Sequence, residues 1–427
     1  MRTKKLFVIY NDDTHFWYSC NVIVNAVQEA FRSYPEVTWC KASQDLSPKD
    51  QKAICASSQT SDTFVYLLSD NMIYQRVVEG LVGLGSITFI IPVYGNMTVE
   101  FARWPLLSEI LKGNKLILLA ASHRQCQQLA LFVKGATIKK IPYPISSMHF
   151  QNLPDNPSDP LIHLVYAGRL MVQKNVFELM HGFLIAQRHN PQLRLHIAGD
   201  FHDRGYHLHG IEIDFEGFKS EFQRLVALSE GTILYHGFLG QEQILHLNAS
   251  SDYVVSMSCY HDEDFGISVA QSLAQGLRPI LSDWGGHPEF TQIIGGSLVP
   301  VLVKDESLPL ISKKHLFLAL QGLTKLPLKE RLENRAKIQA YLSTATFQKK
   351  FDRLLSMEVK PYLGQTDFYL KYAAVCCFWY PFFMGTPRGE IKYLDVYQSY
   401  ISDYQDAASF SLDPLEAEAS QSGSRSR

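Results

Sequence analysis

Short, uninterrupted apolar runs alternate along this chain with longer stretches whose apolar residues recur at helical spacing. Through residue 150 the runs are LFVIY (6–10), VTWCKA (37–42), TFVYLLS (63–69), ITFIIPVYG (87–95), KLILLAAS (115–122) and IKKIPYP (138–144). A half-exposed strand would alternate apolar and polar positions, so continuous runs of this length predict strands covered on both faces. Between them, CNVIVNAVQEAF (20–31), TVEFARWPLLSEIL (98–111) and HRQCQQLALFV (123–133) each carry one apolar stripe and predict amphipathic helices. Strand and helix in turn mean a parallel sheet with helices on both sides.

The stretch QNLPDNPSDP (151–160), with its prolines, asparagines and aspartates, reads as a linker. The alternation then restarts with LIHLVYAG (161–168), a helix near 176–189, LRLHIAG (193–199), GTILYHGF (231–238) and a helix near 241–249. It continues with DYVVSMS (252–258), a helix near 267–275, RPILSD (278–283) and SLVPVLV (297–303). The expectation is an α/β chain of two similar domains in tandem, 1–150 and 161–345, with no repeat visible in the residues themselves. A polar, histidine-containing insert at 203–222 has no assignable element. Helical patterns over 313–356 close the second domain and open a third segment, 346–411, which also holds the aromatic FYLKYAAVCCFWYPFFM (368–384) and a helix-like run near 391–405. The polar tail, 412–427, is expected to be disordered.

At 427 residues and 46% hydrophobic composition, the chain can bury two or three cores. Lys plus Arg number 40 against 42 Asp plus Glu, a balance that offers no general attraction to nucleic acid or acidic lipid. The seven cysteines are odd in number and none forms a CxxC, which argues against a disulfide framework or structural zinc and for a reducing compartment. The N-terminal apolar run is five residues, too short for a signal peptide, so a cytoplasmic protein is expected.

Two stretches carry the chemistry. In HLVYAGRLMVQKN (163–175), Gly168 ends a strand and allows a sharp turn, Arg169 and Lys174 follow it, and Asn175 is placed to cap the next helix. Cations just past the carboxyl end of a parallel strand sit where open α/β sheets bind ligands. Arg grips a phosphate through two hydrogen bonds and Lys adds a point charge. In EDFGISVAQ (263–271), Glu263 and Phe265 precede Gly266 and a small-residue helix. The N–H groups of Gly266, Ile267 and Ser268 are then available to a diphosphate, and Glu263 to sugar hydroxyls. A surface Arg and Lys, or an ordinary helix cap, is the plainer alternative for each stretch taken alone.

In this order these residues resemble the GT-B glycosyltransferases, specifically glycosyltransferase family 4 (group 1). The match reads Gly168-Arg169-Leu170, Lys174-Asn175, Glu263-Asp264-Phe265-Gly266, Gln271, Ala274-Gln275-Gly276-Leu277-Arg278-Pro279 and Gly285-Gly286. It covers roughly 160–300; the first domain matches only in layout. The resemblance implies two Rossmann-like domains facing each other across a cleft, with a C-terminal helix returning to the first. It implies transfer of a sugar from a nucleotide-diphosphate sugar to a hydroxyl on a glycan, a lipid-linked sugar or another acceptor, in the manner of a retaining hexosyltransferase of glycan biosynthesis. No metal or other cofactor is implied. Arg169 and Lys174 would hold the donor diphosphate, Glu263 would contact the transferred sugar, and His236-Gly237-Phe238 would border the nucleobase. Gln271 stands where the family has a second acid that bonds the ribose; an amide offers one donor group and one acceptor there. His15, Asn96 and Thr98 are acceptor-side candidates in the first domain, whose turns depart from the family pattern.

Other readings remain open. Asp262-Glu263-Asp264 spells the D-x-D metal motif of the GT-A class, but two tandem α/β domains favour GT-B. His202, His207 and His209 are of zinc-ligand type without further ligands at suitable spacing beyond Asp203. The segment 368–384 is too short and contains a lysine, so it is expected to be no transmembrane span. A crossing helix is preferred there, with a peripheral contact at the membrane face second. A degenerate GT-B binding subunit, an epimerase and a phosphorylase are the alternative functions.

Overall fold

The structure is a computed structural model; it describes residues 3–11, 18–32, 34, 36–42, 45–68, 71–83, 86–93, 110–133, 135–150, 159–201, 214–259, 263–303, 309–364 and 397–402. The chain divides into two compact units, with boundaries after Ser147 and after Gln339. The first unit takes the chain up again from Ala340, and residues 397–402 belong to the second.

The first unit is built on β1 (Lys4–Tyr10), β2 (Val37–Lys41), β3 (Asp62–Leu68), β4 (Ile87–Pro92), β5 (Lys115–Ala120) and β6 (Thr137–Lys140). They form one sheet in the order β2-β1-β3-β4-β5-β6, every pair parallel. The runs of the inner strands are buried as their lack of alternation requires, most completely in β4, where all six residues are inside. The edge strands β2 and β6 are only partly covered, against the expectation from their sequences. Helices α1 (Tyr18–Phe31), α2 (Pro48–Thr60), α3 (Asn71–Leu81) and α4 (His123–Phe132) connect the strands. Ser47 and Ser122 cap α2 and α4, each hydroxyl accepting from the backbone N–H three residues on.

The second unit's sheet contains β7 (Ile162–Ala167), β8 (Leu193–Ala198), β9 (Ile233–Tyr235), β10 (Tyr253–Ser256), β11 (Arg278–Ser282) and β12 (Ser297–Val299). Their order is β12-β11-β10-β7-β8-β9, again all parallel. Counted from β7 this is 3-2-1-4-5-6, the doubly wound arrangement whose chain order reverses between β7 and β10. Around it lie α5 (Val176–His189), α6 (Phe215–Leu228), α7 (Gln241–Ala249), α8 (Ile267–Leu273), α9 (His287–Ile294), α10 (Lys313–Gln321) and α11 (Leu328–Leu342), which runs across the second boundary. Asp252, only 1% exposed, closes the foot of β7 and β10 by accepting from the N–H groups of His163 and Leu326 and pairing with Lys325 at 3.2 Å.

The last α-helix described, α12 (Thr344–Leu355), belongs to the first unit. Its Phe351 ring lies 4.9 Å from Phe31 of α1 and 5.2 Å from Tyr66 of β3. The predicted strand 297–303 is broken at Pro300, which has no N–H for a ladder, into β12 and a short β13 (Val301–Leu302). β13 pairs antiparallel with β14 (Leu310–Ile311). The later half of the unassigned insert 203–222 is the start of α6, capped by Asp214, which accepts from Gly217 N–H. Among the described residues no helix is long and apolar enough to cross a membrane. His202, His207, His209, Asp262, the segment 368–384 and the tail lie outside the described residues.

Candidate functional site

The site lies at the carboxyl ends of β7 and β10, where the strand order of the second sheet reverses. Beyond β7 the chain turns at Gly168, forms a short 3-10 turn Val172–Lys174 and enters α5. Asn175 sits at the cap position in the left-handed conformation, φ 50°. Its side chain makes no capping bond; Nδ2 donates instead to Met257 O just beyond β10, at 2.8 Å. Cys259 N–H donates to Gln173 O at 2.9 Å. These two bonds lash the β7 turn to the β10 turn and correct the expected capping role: the asparagine joins the two halves of the site.

That lashing brings Lys174 to Glu263. The ammonium donates to Oε2 in an ion pair whose two side chains are each 13% exposed. Burial alone would raise the Glu263 pKa; Lys174 first, then His287 and hydrogen bonds from Lys174 and Ser258, outweigh it and hold the carboxyl at about 2. Glu263 is therefore an anion throughout the physiological range. Tyr166 lies beneath the turn, donating its hydroxyl to Arg169 O at 2.7 Å, with its own pKa pushed up by burial and by Glu263.

Gly266, φ 85°, begins α8, and a β-carbon there would meet the His287 ring at 3.2 Å and Glu263 Oε1 at 3.5 Å. The Gly-Gly loop after β11 is equally tight. A β-carbon on Gly285 would lie 2.0 Å from Glu263 O, and one on Gly286 2.1 Å from Asp264 O. Gly286 N–H donates to Glu263 O at 2.9 Å, so the loop holds the acid's backbone directly. His287 is fully buried beside it. Ser282 Oγ gives its one hydrogen to Ser258 O at 2.6 Å, so His287 Nδ1, 3.0 Å from Ser282 Oγ, is the donor in that contact.

The other predicted donor-side residues fall around this centre unevenly. Phe265 is buried against the Phe290 ring, 5.4 Å away, and seats the helix start. Gln271 is buried, its Nε2 3.1 Å from Nε2 of His149, a ring also approached by Gln241. His236, Gly237 and Phe238 follow β9 on the same rim, where Gly199 N–H donates to Gly237 O at 2.7 Å and Phe238 is 60% exposed. His15, Asn96 and Thr98 lie outside the described residues. The sequence reading missed His287, Ser258, Tyr166 and His149. Of these His287 alone had a local signal, standing beside the glycine pair. Among the described residues no group of three or more His, Cys, Asp or Glu side chains is arranged to hold a metal ion.

Comparison with known proteins places this geometry in a class. Solved structures share the fold over most of the chain. Anabaena Alr3699/HepE, in complex with UDP and glucose, matches with a TM-score of 0.55 at 13% identity, over 82% of this chain and 99% of that one. A glycosyltransferase from Rickettsia africae ESF-5 matches with a TM-score of 0.58 at 15% identity, over 83% and 98%. The fold is GT-B. Within it, residues 151–297 match the model of the family glycosyl transferases group 1. Two curated Xanthomonas relatives, each a GDP-mannose:cellobiosyl-diphosphopolyprenol alpha-mannosyltransferase, from X. oryzae pv. oryzae (strain PXO99A) and X. campestris, are 29% identical over 159 residues. That is 37% of this chain, and the match spans only 38% of each relative's length.

Proposed function

We propose that this protein is a glycosyltransferase of family 4 that moves a sugar from a nucleoside-diphosphate sugar to an acceptor hydroxyl, with retention and without a metal. The observation that carries the reading is the Lys174–Glu263 pair at the β7/β10 reversal, inside the matched domain. Lys174 has three donors, so it can serve a diphosphate while still holding Glu263. Arg169 and the first N–H groups of α8 supply the remaining anion contacts. Glu263, fixed as an anion by its pKa of about 2, accepts from sugar hydroxyls and stabilises positive charge at the reacting carbon. It is not a proton donor. Transfer would break the bond from the sugar's anomeric carbon to the diphosphate, which leaves with its charge held by Arg169 and Lys174, and form one to the acceptor oxygen on the same face. The acceptor's hydroxyl proton would pass to the departing diphosphate oxygen.

UDP and GDP, the nucleotides of the similar proteins, are the donors to try, and a lipid-linked or other glycan is the acceptor class. A cytoplasmic protein, with a peripheral membrane contact through 368–384, fits such an acceptor. The second reading, a binding subunit without turnover, draws on Gln271, whose amide is engaged by His149 at the position where the resemblance puts an acid on the ribose. Calorimetric titration of UDP and GDP, with donor turnover followed in excess chelator, tests both. Arg169→Ala should weaken nucleotide binding by about 1.5–3 kcal/mol, the value of a hydrogen bond to a charged group. Wild-type affinity in a folded Arg169→Ala/Lys174→Ala variant would overturn the diphosphate site. Nucleotide binding with no turnover would favour the subunit, and turnover lost in chelator would favour a metal.

A further inference from the structure

Three histidines of the second sheet form a continuous hydrogen-bonded ladder, of which the site above uses only the outermost, His236. His163 stands five residues before the glycine that ends its strand region, His196 three before Gly199 and His236 one before Gly237. Offsets that fall by two keep all three rings on one face while stepping towards the carboxyl rim. The register agrees: Val165 pairs with His196, and His196 with Leu234. Asp159 Oδ2 meets His163 Nε2 at 2.8 Å, His163 Nδ1 meets His196 Nε2 at 2.8 Å, and His196 Nδ1 meets His236 Nε2 at 3.0 Å. The rings of His196 and His236 stack 5.2 Å apart. The ladder thus runs from the foot of β7 to the exposed rim beyond β9.

A neutral imidazole has one hydrogen, so the sense of each bond fixes the next. The Asp159 carboxylate can only accept, which puts the His163 hydrogen on Nε2 and leaves Nδ1 an acceptor. His196 must then donate from Nε2, and so must His236. The outermost atom, His236 Nδ1, is left a bare acceptor. Burial first, then the facing rings of His163 and His236, push the His196 pKa down to about 4, so the central ring of the ladder keeps a single hydrogen.

We propose that Asp159, His163 and His196 set the hydrogen-bonding sense of His236, and that His236 Nδ1 accepts an N–H of the donor's nucleobase at the rim. The second clause rests on the nucleotide-sugar reading above; the first does not. Asp159, His163 and His196 are positioning residues, and His236 is the specificity residue.

Asp159→Asn tests the chain of cause. Leu161 N–H donates to Asp159 Oδ1 at 2.9 Å and will keep the amide oxygen there, which turns the NH2 group towards His163. Each histidine must then carry its hydrogen on Nδ1, and His236 presents a donor. At pH 8, with histidine neutral, ring-15N spectra of the full chain should show His163, His196 and His236 as Nε2–H tautomers in the wild type and Nδ1–H in the variant. Unchanged tautomers in folded Asp159→Asn would overturn the ladder. The variant should also bind the preferred one of UDP and GDP roughly tenfold more weakly, a lost hydrogen bond plus a facing donor, while inorganic pyrophosphate affinity stays the same. An equal loss for pyrophosphate, or none for the nucleotide, would overturn the role at the base. A wild type that binds pyrophosphate but gains nothing from the base would overturn that role and leave the diphosphate site standing. If it binds neither ligand, the nucleotide-sugar reading itself fails.

Discussion

The two six-stranded parallel sheets end differently among the described residues, one in neutral amides and the other in a buried ion pair. At the carboxyl ends of β4 and β5 in the first unit, a neutral amide closes the turn. Gln125 Oε1 accepts from Ala121 N–H, and its Nε2 donates to Val93 O at 2.8 Å, an oxygen also taken by the Tyr143 hydroxyl at 3.0 Å. These are buried groups satisfying one another. At the matching ends of β7 and β10 in the second unit, the chain spends glycines and a left-handed asparagine to hold a lysine and a carboxylate together, 13% exposed each. A buried ion pair is a poor way to gain stability, since desolvation offsets much of the attraction. Its presence beside the start of α8 is the feature on which the proposed donor site in the second sheet rests. Fold alone would not distinguish the two.

The sharpest way to break this contrast is Glu263→Gln. Turnover should fall about 100- to 1,000-fold, the effect of removing one preorganised group from a reacting centre, while affinity for the bare nucleoside diphosphate stays near wild type. The wild-type carboxyl sits at about 2 against an ordinary 4.5. A depressed acid lends stability above its unfolded value and loses it as pH falls through the folded one. Glu263 should therefore contribute no acidic limb to the rate between about pH 5 and 9, and an acidic limb that disappears in Glu263→Gln would show the charge assignment to be mistaken.

The same cut made in the first unit should behave differently. Gln125→Ala strands Ala121 N–H and removes one of two donors from Val93 O, a cost of about 1–3 kcal/mol in unfolding free energy. Its nucleotide affinity should not change. A selective loss of nucleotide binding in the folded variant would mean that the strand ends of the first unit contribute to the donor site after all.

The sequence made the charged site legible and left much of its support illegible, for definite reasons. Gly168, Gly266 and the Gly285-Gly286 pair punctuate strand ends at spacings that survive in the chain as written, and Arg169, Lys174 and Glu263 are read off beside them. Helix α2 escaped because its sequence, PKDQKAICASSQT, buries only Ile54, Ser57 and Ser58 and so shows no apolar stripe. The Lys174–Glu263 contact was out of reach because it depends on Asn175 reaching Met257 across 82 residues, which no local pattern encodes. The histidine ladder had a signal in the offsets from three strand-ending glycines, but only a known strand order turns those offsets into a diagonal.

Gln271 provides the finest test, because its contact with His149 is read by stability against pH and its ribose role by nucleotide affinity. Its Nε2 donates to Nε2 of His149, which must be the accepting nitrogen. Gln271→Glu puts a carboxylate against that acceptor. A shift of the ring hydrogen to Nε2 remakes a neutral hydrogen bond, and the full ion pair forms only when His149 takes up a further proton. A histidine that gains such a partner has a folded pKa above its unfolded value of about 6.5, so the restored stability is present below that value and is lost as pH rises through the folded one. In urea unfolding the variant's stability relative to the wild type should be higher at pH 6 than at pH 8.5 by about 1 kcal/mol, the gain of a charged over a neutral hydrogen bond. Nucleotide affinity at pH 6 should hold or improve if residue 271 also reaches the ribose, since a carboxylate accepts from both hydroxyls. An equal stability loss at both pH values would remove His149 as the partner, and unchanged nucleotide affinity in folded Gln271→Ala would remove the ribose from its role.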